Sequence, residues 1–330
     1  MEKIDFVIAW VDGSDPAWQA QKAKYRNDPE TGDAQVRYRD WDTLRYWFRG
    51  AEKYAPWVNR IHLLTWGHVP SWLNTEHPKV HVVNHADFIP EAYLPTFSSH
   101  PIELNMHRIP GLAEQFVYFN DDFFLTAPVK PSDFFVKGRP CDSLEENPLT
   151  LNWRDMMVSV NANDVLFLNR HHSKPSCRRG NLSRWYSLRT PMVAWKNLLL
   201  TPISRSSFFG LNHHHLPQAY RKENLAAVWA MDDGWLAETC SHRFRDPSDV
   251  SQCVFKFHQL ATGDFHPYNK RKYGKWFRGS QYKDAARAIS RKEYKFICCN
   301  DAPSVDFAEA KAVLHRAFDS VLPEKSGYEK

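Results

Sequence analysis

The chain has 330 residues, 43% of them hydrophobic and 25% charged, with a net charge of +5 and sixteen His besides. This is an ordinary globular composition, which excludes a disordered or fibrous chain. The mild basic excess suits anionic substrates or an anionic surface and excludes the concentrated basic stripe of a nucleic-acid binder.

Ile4-Asp-Phe-Val-Ile-Ala-Trp-Val11 reads as a first, central strand. Asp12-Gly-Ser-Asp-Pro16 ends it, and Gly13 permits a tight turn and close approach of a ligand to the backbone. Asp15 and Pro16 fit the cap and first position of a helix running to Tyr25. A strand, a glycine turn and a helix start make a natural phosphate site. The three glycines of a dinucleotide fingerprint are missing.

Asn27 to Gln35 is polar and reads as loop. Trp41 to Tyr54 reads as an amphipathic helix, ended by Pro56. Arg60 to Trp66 and Lys79 to Val83 read as strands two and three, with a short helix from Pro70 to Leu73 between them. Ile102 to Leu112 reads as a helix that places Glu103 and His107 one turn apart on one face. This alternation of strands and helices predicts an α/β fold with a parallel-rich sheet.

Gln115-Phe-Val-Tyr-Phe-Asn-Asp-Asp-Phe-Phe124 organises the rest. An apolar run stops abruptly at Asn120, Asp121 and Asp122. Adjacent carboxylates do not belong in a core. They fit the carboxyl end of a strand in an open α/β sheet, where ligands bind. Hard oxygen ligands of this kind suit Mg²⁺ or Mn²⁺ beside a phosphate-bearing substrate.

Residues 1–136 are assigned to an α/β part with a nucleotide-phosphate site, 137–205 to an insertion or lid lobe, helical or irregular, and 206–330 to the remainder of the catalytic domain. Asn212-His-His-His-Leu-Pro217 lies in the last part; in extended chain His213 and His215 share one face. Asn224 to Cys240 reads as one helix, and Asp249 as the cap of another from Val250 to Leu260. Tyr268 to Tyr282 is basic and aromatic, which suits a phosphate-rich polymer or a membrane surface. Tyr294 to Cys299 reads as a late strand that also ends in Asn-Asp, at Asn300 and Asp301, before a helix from Phe307 to Phe318. Acidic groups at several strand ends point to one metal-assisted site.

The six Cys form no CxxC pair, which argues against a zinc ribbon and fits reduced thiols. No signal peptide or spanning run is visible, so a cytoplasmic protein is expected, at most peripheral at the inner membrane face.

Ile4 to Pro16 resembles the opening motif of the Stealth family, whose members include bacterial capsular polysaccharide phosphotransferases and a subunit of the animal GlcNAc-1-phosphotransferase. Arg37-Tyr-Arg-Asp40, Leu44-Arg-Tyr46, Ala55-Pro-Trp57, Pro70 to Asn74, Pro95 to Ser99, Glu103 and Phe119-Asn-Asp-Asp122 resemble its longest motif. His213 to Pro217 with Arg245 and Asp249 is similar to the third, and Phe296 to Asp301 to the fourth. The resemblance implies a Rossmann-like, glycosyltransferase-A-like core, a divalent cation (Mg²⁺ or Mn²⁺), and transfer of a sugar-1-phosphate from a UDP-sugar to a glycan hydroxyl with release of UMP. It carries catalytic roles to Glu103, Asp122, His215 and Arg245. The expected metal set is Asp121, Asp122, Asn300 and Asp301; the expected substrate contacts are Trp10, Asp12, Gly13, Asp15, Arg37, Arg45, His107 and Asn120. The competing expectations are a glycosyltransferase that releases UDP and an inactive nucleotide-sugar-binding protein.

Overall fold

The sequence from Ile4 to Ala9 is apolar on both faces except at Asp5, and it forms β1 (Ile4–Ala9) at the centre of a five-stranded sheet. Continuous apolar runs of this kind belong to parallel strands covered on both sides. The order is β3-β2-β1-β4-β8, with β2 (Ile61–Thr65), β3 (Val80–Asn84) and β4 (Gln115–Phe119) parallel to β1 and β8 (Gln218–Arg221) antiparallel to β4. The computed structural model describes residues 2–25, 38–152, 155–303 and 305–330.

Side chains alternate across the sheet. Phe6, Ile8, Val117 and Phe119 face one core, with the helix Leu44–Tyr54 and the C-terminal helix Phe307–Val321 packed over them. Val7, Leu64, Phe116 and Tyr118 face the other, under helices Lys222–Met231 and Cys253–Thr262. The α/β, parallel-rich class expected from the sequence is therefore present.

Among the described residues two smaller sheets accompany the main one. β5 (Phe123–Leu125) leaves the main sheet and pairs antiparallel with β11 (Phe296–Cys299), which lies parallel to β10 (Gly274–Phe277). β6 (Phe135–Val136), β7 (Arg139–Asp142) and β9 (His266–Pro267) form the other. Four helices between Met156 and Leu200 make a helical layer. Its core is shared: Val165, Leu168 and Trp185 pack with Leu144, Phe208 and Phe257.

Several local expectations change. Pro70 to Leu73 forms a turn, and Leu73 bridges to Glu329. The helix expected from Ile102 to Leu112 runs only over Ser99–Leu104, capped by Ser98, and gives way to a 3₁₀ turn at Met106–Arg108. Asn224 to Cys240 splits into Lys222–Met231 and Trp235–Ser241, because Gly234 takes a left-handed conformation with φ 114°. The helix after Asp249 starts at Cys253, and Asp249 does not cap it. The stretch from Asn27 to Gln35, expected as loop, lies outside the described residues. No helix among the described residues is long and apolar enough to cross a membrane.

Candidate active site

The site forms where the five-stranded sheet meets the β10-β11-β5 sheet. β4 ends at Phe119, and Asn120-Asp121-Asp122 turns the chain back, Phe123 N–H donating to Asn120 O at 3.1 Å. β5 then hands the chain to the second sheet, where Cys299 N–H donates to Asp122 O at 2.9 Å. That pairing puts the end of β11, with Asn300 and Asp301, next to the end of β4. The segment 211–215, just ahead of β8, closes the third side. The acidic strand ends therefore converge because the topology folds two sheets against one another.

They line a cavity of about 720 Å³, within the range of small-ligand sites. Its wall includes Trp10, Glu103, Asn120, Asp121, Asp122, His215, Arg245, Asn300 and Asp301. All four expected catalytic residues and all four expected metal residues are thus in one place.

His215 takes a left-handed backbone, φ 47°. Its ring packs edge-on against Phe123 at 5.0 Å and Trp276 at 5.5 Å. Its Nε2 lies 3.8 Å from Asp122 Oδ2 and 3.5 Å from the Asn300 amide nitrogen. The three histidines divide by face, as the sequence suggests. His213 and His215 line the cavity with ring centroids 5.7 Å apart. His214 turns away, to Ser143 Oγ at 3.1 Å and Glu145 at 3.9 Å. Burial first, then Lys256, holds His213 and His214 far below the usual imidazole range, so both are neutral.

Beneath this segment Asp142 is buried between Lys256 Nζ at 3.5 Å and Lys270 Nζ at 3.2 Å, and accepts from Gln218 at 2.8 Å. Burial alone would raise its carboxyl; the two ammonium groups overcome this and hold it well below the ordinary range. Burial pulls Lys270 down to about 8. Lys256 also donates to Asn212 O at 3.2 Å, which ties the charge cluster to the histidine segment.

On the opposite wall Glu103 is buried and accepts from the Tyr118 hydroxyl at 3.3 Å. Burial, then Glu103, pushes that phenol far up, so it stays a donor. Arg245 Nη2 donates to Ser99 Oγ at 2.9 Å, and Nη1 approaches Met157 Sδ at 3.5 Å. Asp249 anchors the Arg245 loop from below. It is fully buried and accepts from His100 Nδ1 at 2.8 Å, His242 Nδ1 at 2.7 Å and Asp246 N–H at 3.0 Å. Asp249 is therefore a hub and not a helix cap. His100 lines the cavity and escaped the sequence reading; its signal was its place three residues before Glu103 on one short helix. Trp276 and Arg39 also line the cavity and were missed.

The other expected substrate residues sit elsewhere. Asp12 accepts from Ser14 at 2.9 and 2.6 Å, a closed local turn. At Gly13 an added Cβ would stand 2.1 Å from Tyr38 O, so the glycine admits the neighbouring chain and not a ligand. Asp15 caps its helix through Trp18 N–H at 2.8 Å, as expected. Arg45 pairs with Asp42 at 3.7 Å and lies over Trp72. His107, off the α-helix, packs on Trp229 with ring centroids 5.9 Å apart. None of these five lines the cavity. Arg37 lies outside the described residues.

The donor set fits a divalent cation. Asp122 Oδ1 and Asn120 Oδ1 are buried without a hydrogen-bond partner among the described residues. Native proteins seldom leave such oxygens unsatisfied. Ligand atoms of Asp122, His215 and Cys298 lie within 4.8 Å of one another. Burial and Asp122 push the Cys298 thiol far up, and it donates to Asp122 Oδ2 at 3.2 Å. The Asp122 carboxylate and the Asn120 amide oxygen, with His215 Nε2 and Cys298 Sγ beside Asp122, are a donor set that could hold a divalent cation. Asp121 lines the cavity, where partial enclosure and the adjacent Asp122 raise its carboxyl to about 7, the behaviour of paired carboxylates. Asp301 is already held, by Trp41 Nε1 at 3.3 Å and Arg39 at 3.8 Å, so it stands second to Asp122 as a ligand.

Two family signatures match the chain: Stealth protein conserved region 1 over residues 2–29 and conserved region 2 over residues 37–141. The receptor polysaccharide phosphotransferase WefC of Streptococcus oralis is 37% identical over 337 residues, covering all of both chains. The capsular polysaccharide phosphotransferase WcwK of Streptococcus pneumoniae is 35% identical over 335 residues, covering 100% of this chain and 99% of that one. The exopolysaccharide phosphotransferase cps2G of Lactiplantibacillus plantarum is 37% identical over 332 residues, covering 99% and 96%. Among solved structures, the galactosyltransferase LgtC with donor and acceptor sugar analogs is 11% identical at a TM-score of 0.43, covering 96% of each chain. Full-length likeness to these phosphotransferases, together with the two matched regions, shows that the chain belongs to the Stealth family.

Proposed function

We propose that the protein transfers a sugar-1-phosphate, an N-acetylhexosamine-1-phosphate by preference, from a UDP-sugar to a hydroxyl of a bacterial surface polysaccharide, releasing UMP. The observation that carries this is the convergence of Asp122, His215, Glu103 and Arg245 on one cavity in a chain related along its whole length to polysaccharide phosphotransferases.

In this reading an acceptor oxygen attacks the β-phosphorus. A new P–O bond forms to the acceptor, the bond from that phosphorus to the bridging oxygen breaks, and UMP leaves with the electron pair. Such reactions depend mainly on positioning and charge neutralisation. Asp122, with Asp121 and with Asn300 beside it, would hold Mg²⁺ or Mn²⁺, which when bound neutralises the diphosphate charge. Arg245, fixed by Ser99, offers its guanidinium to the phosphoryl oxygens. His215 Nε2 takes the acceptor proton, and the packing of Phe123 and Trp276 sets the ring's direction. Glu103 meets the sugar of the donor. Trp10, an expected substrate contact, and Arg39 line the cavity and meet the nucleotide, whereas Asp12, Gly13 and Arg45 stand outside it.

A second reading makes His215 a cation ligand. The clustering of its Nε2 with Asp122 favours it. The two readings differ in cation affinity: a His215→Ala ligand variant loses it, whereas a base variant keeps it.

The overall proposal is tested by chromatography of the nucleotide product after incubation with UDP-N-acetylhexosamine and a polysaccharide acceptor. UMP supports phosphosugar transfer. UDP assigns the chain to ordinary glycosyl transfer, and no turnover with any acceptor assigns it to nucleotide-sugar binding alone.

A further inference from the structure

The helix Pro191–Leu200 is built inside out. Its one fully buried residue is polar: Asn197 accepts from Glu146 N–H at 2.9 Å and donates to Leu144 O at 2.8 Å and Trp185 O at 3.0 Å. Its apolar residues face solvent. Met192 is 78% exposed, and Trp195, Leu198 and Leu199 are each more than half exposed. Leu188 just before the helix is 92% exposed and Ile203 just after it is 76% exposed. Met192, Trp195 and Leu199 recur at helical spacing, so they form one stripe. A contiguous apolar stripe of this kind marks an interaction surface on a folded protein.

The surrounding charge selects the partner. Residues 170–205 hold eight Lys and Arg and no Asp or Glu. Lys174 and Lys196 are spent on Glu146 and Glu145, but Arg189 next to Leu188 and Arg205 two residues after Ile203 are exposed, as is Arg179 on the helix Lys174–Gly180. Exposed Leu and Trp rimmed by Arg, with no acidic residue among them, match an anionic lipid surface: the apolar side chains enter the acyl boundary and the guanidinium groups meet the headgroups. A second copy of this chain fits worse, because it would bring one Arg rim against another.

We infer that the helix Pro191–Leu200 and its flanking Leu188 and Ile203 dock the protein peripherally on an anionic bilayer. This moves the membrane contact away from the basic-aromatic segment 268–282, where Lys270 is buried on Asp142. The same helix also contacts the wall of the cavity through its other side. Lys196 on the same helix donates to Glu145 at 2.8 Å and to Asn147 at 3.0 Å, and Asn147 lines the cavity.

The test is co-sedimentation of the full chain with phosphatidylcholine vesicles and with phosphatidylcholine–phosphatidylglycerol vesicles, at low and high salt. The expected result is binding to the anionic vesicles only, weakened by salt, with at least a tenfold loss in the Trp195→Ser/Leu199→Ser variant and in the Arg179→Glu/Arg189→Glu variant. Lipid carrying a brominated acyl chain is expected to quench wild-type fluorescence more than that of Trp195→Phe. Circular dichroism and nucleotide-sugar binding report whether each variant is folded. Equal binding by these folded variants overturns the inference, as does loss of binding only on Trp276→Ser/Lys275→Glu. A wild-type protein that ignores both vesicles, or that dimerises through the stripe and is made monomeric by Leu199→Ser, also overturns it.

Discussion

Asp142→Asn removes one negative charge from under the histidine segment while keeping the shape of the side chain. Asp142 is 1% exposed and is shared by Lys256 and Lys270, themselves nearly inaccessible. The amide still receives one hydrogen bond but cannot balance two ammonium groups. Stranding a buried charge in this way costs about 3–5 kcal/mol. Native stabilities are of the order of 5–15 kcal/mol, so the loss is a large fraction of the total. With a urea m-value near 3 kcal/mol/M, the unfolding midpoint falls by about 1–2 M. The sign with pH follows from the depressed carboxyl. Its contribution is fully present above the unfolded value of 3.8 and is lost as pH falls toward the lower folded value. Lys270, already pulled down to about 8, loses its raising partner in the variant, so the gap between wild type and variant widens as pH falls from about 8 through neutrality and narrows only in strong acid, where Asp142 itself is protonated. Adding Lys270→Met to Asp142→Asn should recover part of the loss, since it removes one of the stranded charges. Urea unfolding followed by tryptophan fluorescence measures all of this. A folded Asp142→Asn protein within about 0.5 kcal/mol of wild type at pH 7 would refute the claim that this cluster supports the segment.

Asp122→Asn should abolish turnover with the fold intact, and EDTA should do the same to wild type; full activity in chelator removes the metal assignment. His215→Ala should lower turnover by roughly 10²–10⁴-fold with donor affinity little changed, whereas Arg245→Ala should lose donor affinity as well, as steady-state kinetics and calorimetry will show. His213→Ala is the kinetic control and should retain most activity, but His214→Ala should cost stability through its Ser143 and Glu145 contacts. His258 is buried and pulled down to about 4, so the unfolded chain takes its proton first and stability falls as pH drops from about 6.5 toward 4. His258→Gln should flatten that limb in acid-unfolding curves.

The sequence reading succeeded where local pattern and site coincide. The apolar run before Asn120 and the late strand before Asn300 both proved to be buried strands, and strand ends carry acidic residues for a reason that pattern alone shows. His213 and His215 do share the cavity while His214 turns away, but His215 reaches it from a left-handed backbone, φ 47°, and not from the extended chain that the spacing assumed. The failures were of another kind. Glu103 and His107 were placed on one helix face by spacing, but the helix stops at Leu104, and one 3₁₀ turn sends His107 to Trp229. Gly13 looked like a ligand glycine because sequence cannot show that Tyr38 would occupy the same space. Asp249 looked like a cap, since Asp before an apolar run is a common cap. Only tertiary contacts with His100, 149 positions away, reveal a buried carboxylate. The lid lobe assigned to 137–205 shares its core with residues up to Phe265, a long-range packing that composition does not encode.

The central claim is that the bond broken lies between the two phosphorus atoms and not at the sugar carbon. A UDP-N-acetylhexosamine labelled with ³²P in the β-phosphate decides this. After incubation with the enzyme, Mg²⁺ and acceptor, the account predicts that the label moves into the polysaccharide as an acid-labile phosphodiester while Asp122→Asn transfers none. Sugar appearing in the polysaccharide with the label left on the nucleotide would contradict it.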